Sequence, residues 1–184
     1  MKSIISFCVG AILSAAAFAA SERFDAIVDE HGYPIEDPRY DEIRTWHASQ
    51  QEGLALYRRE AFEAAYPVLA EPARHGFKEA QHAISLMHIK GQGVEKNVLV
   101  GVALLGLAAE SGDRKLVREY KKSVKALPER FRDLVRAQTE YYIERYGMKA
   151  QGVSCNQVKQ AGSNLKQLKC VKQPGSYQNW AWNP

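Results

Sequence analysis

The chain has 184 residues, 46% of them hydrophobic, with 25 Lys and Arg against 21 Asp and Glu. That is enough for one domain with a real core, and a net charge of +4 is too weak to argue for nucleic acid from totals alone. The charge is unevenly placed. No acidic residue follows Glu144, whereas Lys149, Lys159, Lys166, Lys169 and Lys172 do, so a basic C-terminal appendage follows a near-balanced body.

Residues 1–19 have the form of an export signal. Lys2 supplies the positive start, Ile4 to Ala19 is apolar and rich in small residues, and Ala17-Phe18-Ala19 offers small side chains at the two positions a signal peptidase reads. Cleavage is expected before Ala20. A retained anchor is the alternative, but the run is shorter than the roughly 20 apolar residues that cross a bilayer. The mature chain is then periplasmic or secreted, with no transmembrane segment. Cys8 is removed with the signal, leaving Cys155 and Cys170 as the thiols. An oxidising compartment pairs them, closing a loop worth roughly 3 kcal/mol. A metal site is the alternative for these thiols, and residues 150–184 contain no His, Asp or Glu to complete one.

Residues 20–48 read as an arm. Ser21 to Glu30 suits a short helix, His31-Gly32-Tyr33-Pro34 and Asp37-Pro38 break regular structure, and Tyr40 to Trp46 adds a turn of helix. Ser49-Gln50-Gln51-Glu52 has the capping-box pattern and is expected to open a helix with Leu54, Leu56 and Tyr57 buried. After a turn at Glu60-Ala61, Phe62, Ala65, Tyr66, Leu69 and Ala73 recur by threes and fours. Pro67 and Pro72 fit that helix badly: one is expected in the first turn, the other to bend the axis. Gly76 is placed to end it in the left-handed conformation.

The next helix spans Lys78 to Ile89, with Ala80, Ala83, Ile84, Met87 and His88 on one face. Gly91 and Gly93 form a loop, and Asn97 caps the helix that begins at Val98. Val98 to Ser111 is apolar almost all round and belongs in the interior. Asp113 to Leu127 is a charged helix with Leu116, Val117, Tyr120 and Val124 on its buried stripe. Pro128 starts a last long helix, carrying Phe131, Leu134, Val135, Tyr141, Tyr142 and Ile143, and Gly147 stops it. Gly76, Gly112 and Gly147 are separated by 36 and 35 residues, the period of a stacked helix-pair array, here covering 49–147. In 148–184 the period changes. Val153 to Lys159 and Leu165 to Val171 read as strands around Ala161-Gly162-Ser163-Asn164. Cys155 and Cys170 are equidistant from the Gly162/Ser163 midpoint, hence cross-strand neighbours. A two-residue turn places them at a hydrogen-bonded pair, a four-residue loop at the closer non-hydrogen-bonded pair, and the closer pair suits a disulfide. From Pro174 onwards the tail is irregular.

Ala80-Gln81, Ile84-Ser85, Met87-His88, Gly91-Gln92-Gly93-Val94, Asn97, Ala108-Ala109 and Gly112 together resemble the Sel-one-like repeat, a relative of the tetratricopeptide repeat. The match is good over Ala80 to Gly112. The flanking units, Gly53 to Gly76 and Asp113 to Gly147, match in period and apolar positions only. Asn97 stands for the usual Asp, Leu104 for a frequent Trp, His88 for a common Tyr, and Val100 and Leu107 for frequent lysines. The resemblance implies an adaptor that holds protein partners on a concave helical surface, without catalytic residues.

The expectation is therefore an all-α chain, an α-α superhelix (a solenoid of about three helix pairs) with a small C-terminal disulfide-closed β-hairpin, acting as a non-catalytic adaptor for a protein or peptide. The alternative is a module binding an envelope polymer (peptidoglycan or an anionic surface) through Lys159, Lys166, Lys169, Trp180 and Trp182. No cofactor, metal or nucleic acid is expected. His75, His82 and His88, with Glu71 and Glu79 near, are the residues from which a metal site would be built, but His75 and His82 read as exposed helix positions and His88 as a core substitute for Tyr. Ser85 and Ser111 have no partner set for a nucleophile. Gly91-Gln92-Gly93-Val94 lacks the Lys-Ser/Thr of a phosphate loop.

Overall fold

A computed structural model of the chain describes residues 28–31, 33, 35, 37–159, 162 and 164–175. The expected export signal and its expected cleavage point, the helix expected over Ser21 to Glu30 for all but its last residues, and Trp180 and Trp182 lie outside the described residues.

A 3-10 turn, Pro38–Tyr40, is capped by the Asp37 carboxylate, which accepts from the Arg39 N–H at 3.0 Å. It runs directly into α1, Asp41–Arg58. The turn of helix expected over Tyr40 to Trp46 and the helix expected from Ser49 are thus one element. Ser49 lies inside it and caps nothing. Asp41 and Glu42 in the first turn face the positive end of the helix dipole instead. α2, Phe62–Arg74, holds both Pro67 and Pro72 beyond its first turn, so neither occupies the tolerated first position. Each removes the donor for the carbonyl four residues back.

α3 spans Lys78–Lys90, α4 Val98–Ala109, α5 Arg114–Ala126 and α6 Glu129–Tyr146. Their starts come from local chemistry. The Asn97 side chain accepts from Val100 N–H at 3.1 Å. Asp113 accepts from the N–H groups of Lys115 and Leu116 at 2.8 and 3.0 Å. α4 stops two residues short of Ser111. Gly76 and Gly112 follow α2 and α4 at φ 87° and 78°, where a side chain is strained. Gly147 ends α6 for another reason. Its backbone is extended, but a β-carbon there would stand 2.3 Å from the Ile143 carbonyl oxygen and 2.9 Å from the Glu110 carboxylate.

α1 packs on α2 and reaches α3, α2 packs on α3, α3 on α4, and α4 on both α5 and α6, while α5 touches α6 only lightly. α4 is the centre: residues 101–109 are all buried, against Leu69, Ile84, Met87, Val135 and Tyr142. Leu134 and Tyr141 of α6 stay exposed.

Two antiparallel strands complete the chain, β1 at Val153–Lys159 and β2 at Lys166–Lys172. β2 begins one residue later than its pattern predicts. Cys155 is directly opposite Cys170 and bonded to it, with Cα atoms 4.0 Å apart. The Gln173 N–H donates to Gly152 O at 2.8 Å. Counting alternate rows from that bonded pair places the cysteines at a non-hydrogen-bonded pair, the closer kind.

Candidate functional site

The hairpin does not stand free of the helices. At the end of β2 the Lys172 side chain turns inward and is 2% exposed. Its ammonium donates to His75 O at 3.0 Å and to Gln151 O, and lies 5.3 Å from the centroid of the Trp46 ring. Trp46 stacks on His75 with centroids 3.7 Å apart. The Lys172 N–H, on the outer edge of the ladder, donates to the Tyr33 hydroxyl at 2.8 Å. Burial lowers the Lys172 pKa to about 7, because a cation is poorly solvated there.

This latch leaves a groove of about 590 Å³ between the helical body and the hairpin. α1 contributes His47, Gln50 and Gln51, spaced to share one helical face. Phe77 and the first turn of α3 give Lys78, Glu79 and His82, and the cap and first turn of α5 give Asp113, Lys115 and Leu116. Val153, Val158, Leu168, Lys169 and Cys170 form the hairpin wall, and His31 and Tyr33 close one end.

The groups in the groove are neutral or of mixed sign. His31 and His47 stack with centroids 4.0 Å apart, and His47 Nε2 is 3.4 Å from the Tyr33 hydroxyl. Burial, then the neighbouring His31, lowers the His47 pKa to about 4, so the ring is neutral at pH 7. Its Nδ1 is buried with no hydrogen-bond partner among the described residues. Gln50, 6% exposed, gives its amide to Glu79 at 3.4 Å, and its Oε1 has no partner among the described residues. The groove thus sets the polar side chains of α1 and α3 beside apolar Phe77 and Leu116, a mixed lining that suits a ligand with both polar and apolar groups.

The residues that carry the resemblance to the repeat serve the fold. Ala80, Ala108 and Ala109 are buried. Gln81 is fully buried and donates to Ala73 O at 2.8 Å and Tyr146 O at 2.9 Å, tying α3 to the ends of α2 and α6. Gly91 and Gly93 form the left-handed turn, with Val94 packed against the core beside it, before the Asn97 cap, and Gly112 follows α4. None of these lines the groove, although Gly112's neighbours Ser111 and Asp113 do.

Of the hairpin lysines, Lys169 lines the groove, while Lys159 and Lys166 face each other across the strands, both exposed. His75 is not the exposed residue its position implies but is 1% exposed, because Trp46 covers it. Burial, then Lys172 and Arg74, lowers its pKa to about 4. His82 is half-buried, 3.4 Å from Glu119, and burial lowers its pKa. His88 lies 3.3 Å from the Tyr66 hydroxyl. The three histidines thus meet three different partners, and among the described residues no group of three His, Cys, Asp or Glu is placed to hold a metal ion.

No family model matches the chain, and no curated protein and no solved structure is significantly similar to it.

The share of the groove and its latch that comes from the start of α1 is hard to read in the sequence. Trp46, His47 and Gln50 fall at spacings of one and three, a sign of a continuing helix face that the prolines before them obscure. Lys172 is one lysine in a basic run, and nothing in the run marks it as the buried one.

Proposed function

We propose that the chain is an exported, non-catalytic adaptor that holds a protein or peptide partner in the groove between its helices and its hairpin. α1 to α6 are then three helix pairs of a Sel-one-like solenoid, and the hairpin covers one end, where an open array would expose apolar surface. The observation that carries the proposal is the lining of the groove: polar His47, Gln50, Gln51 and Glu79 beside apolar Phe77 and Leu116, a mixture that a peptide's backbone and side chains can meet. Export to the periplasm or exterior is supported by the disulfide. Among the described residues no helix is long and apolar enough to cross a membrane. Peptide display against the oxidised chain without residues 1–19 tests the assignment. Enriched peptides should lose about tenfold or more in affinity, the worth of one buried contact set, to Gln51→Arg and Leu116→Lys but not to Arg136→Gln. Absence of enrichment, or equal effects of all three substitutions, overturns it.

A second assignment, binding of an envelope polymer through the basic hairpin and the tail tryptophans, is favoured by one observation. Lys159 and Lys166 are directly opposed, a like-charge pair that costs stability unless an anion lies over it. Co-sedimentation with peptidoglycan or anionic vesicles tests this, and salt should abolish it.

A further inference from the structure

The exposed side of α5 is cationic along its whole length. Arg114, Arg118, Lys121 and Lys125 recur at steps of four, three and four, so they form a single row on one face. Lys115 and Lys122 flank the row. The helix carries six cations and a single carboxylate, Glu119, and that carboxylate is turned towards His82. All four residues of the row are exposed. Arg114 with Arg118, and Lys121 with Lys125, are like charges one turn apart, which weakens a helix. The fold gains nothing from that arrangement.

Beside the row, α5 stands off from α6 and leaves a cleft of about 260 Å³. Lys121 and Lys125 line one wall, Arg132 and Arg136 the other, and Tyr120 and Val124 the floor. Arg132 is held in place, donating from Nε to Leu127 O and from Nη2 to Lys125 O, each at 3.0 Å. Arg136 meets Asp133 at 2.9 Å. Among the described residues neither Lys121 nor Lys125 has an ion-pair partner.

We propose that this cleft, with the row of cations leading into it, binds a linear polyanion bearing repeated phosphate groups. From Arg114 to Lys125 the row is about 16 Å long at the helical rise, more than one small anion spans. A flat lipid surface meets the row but does not enter a cleft. A flexible chain of regularly spaced charges does both, and it relieves the repulsion along α5. The row and the cleft share no residue with the groove under the hairpin, which only the flanking Lys115 also lines, so the two assignments are tested by different substitutions.

Titration of the oxidised chain without residues 1–19 with long-chain inorganic polyphosphate, at stepped salt concentrations, tests the proposal. The wild-type chain should bind at low salt, with log affinity falling linearly against log salt as counterions are released. Lys121→Gln combined with Lys125→Gln should weaken binding about tenfold or more and flatten the salt slope by roughly 0.7 per lysine. Both side chains are exposed, so helical circular dichroism should be unchanged. Arg136→Gln, on the opposite wall, should weaken binding in the same direction. Lys159→Gln with Lys166→Gln should leave affinity unaltered, and monomeric inorganic phosphate should not compete. No binding at low salt, equal loss from the hairpin substitutions, competition by the monomer, or binding to anionic vesicles without binding to the polymer would each overturn it.

Discussion

The Lys78 ammonium lies 2.9 Å from Glu110 Oε2 and joins the start of α3 to the end of α4. The same ammonium donates to Leu107 O and Gln81 Oε1, and Glu110 Oε2 accepts the Met148 N–H at 2.8 Å. Burial pushes the Lys78 pKa down and Glu110 holds it up. Removing the cation strands a carboxylate, so Lys78→Met should destabilise by about 2–3 kcal/mol. That is below the usual range for a broken buried pair, because Glu110 keeps 20% of its side-chain surface in water. Lys78→Met with Glu110→Gln should recover part of the loss. Urea unfolding of the four members of the cycle measures both.

Lys172 makes hairpin docking pH-dependent. Its pKa falls from 10.5 to about 7 on folding. Below pH 7 the amine is protonated in both states and adds no slope. Between pH 7 and 10.5 the unfolded chain holds a proton that the folded chain does not, so stability rises with pH. The unfolding midpoint of wild type should therefore gain on that of Lys172→Met across this window. A constant difference between the two would show that the amine titrates normally.

A two-stranded hairpin is marginal by itself, and this one is held by the latch and by the Cys155–Cys170 bond. Reduction, or Cys155→Ser with Cys170→Ser, should cost about 3 kcal/mol or less in the chain-entropy model. Hydrogen exchange should show protection lost first over 153–172 and retained in α3 and α4.

Gln81 has no exposed surface, and its amide serves two chain ends at once. Gln81→Leu preserves the volume approximately and removes both of these hydrogen bonds and the acceptor of the Lys78 ammonium, so a loss of about 2–3 kcal/mol is expected. Gln81→Glu keeps the oxygen that faces the Lys78 ammonium but turns its second oxygen on two carbonyl acceptors, so it too should destabilise. Thermal unfolding ranks the two.

Where an element is set by a local group, the sequence shows it. The Asn97 side chain caps α4 at the expected position, Asp113 caps α5 where the pattern places the helix's first residue, and Gly76 and Gly91 take the left-handed conformation. The equal distance of Cys155 and Cys170 from the turn is enough to set the register. The start of α1 is hidden because its first residue has no side-chain cap, while Ser49 carries the capping pattern with no helix end to use. Both prolines of α2 argue against a helix that tertiary packing nonetheless completes. The groove is not legible at all. It is assembled from five separated stretches, and no local pattern announces that Lys172 will cross to Trp46 and His75. The cationic row on α5 stands in plain spacing, but spacing alone does not show that it borders a cleft whose other wall comes from α6.

Tyr33 and Lys172 touch across 139 positions of chain. Closing so long a span carries a large entropic cost, met only once partners for it exist. The His75 and Gln151 carbonyls that receive the ammonium follow α2 and α6 in the chain. During synthesis from the N-terminus, Tyr33 emerges early and waits for a residue near the far end. The fastening of the hairpin thus rests on contacts drawn from both ends of the chain, and the groove it roofs is lost when either end lets go.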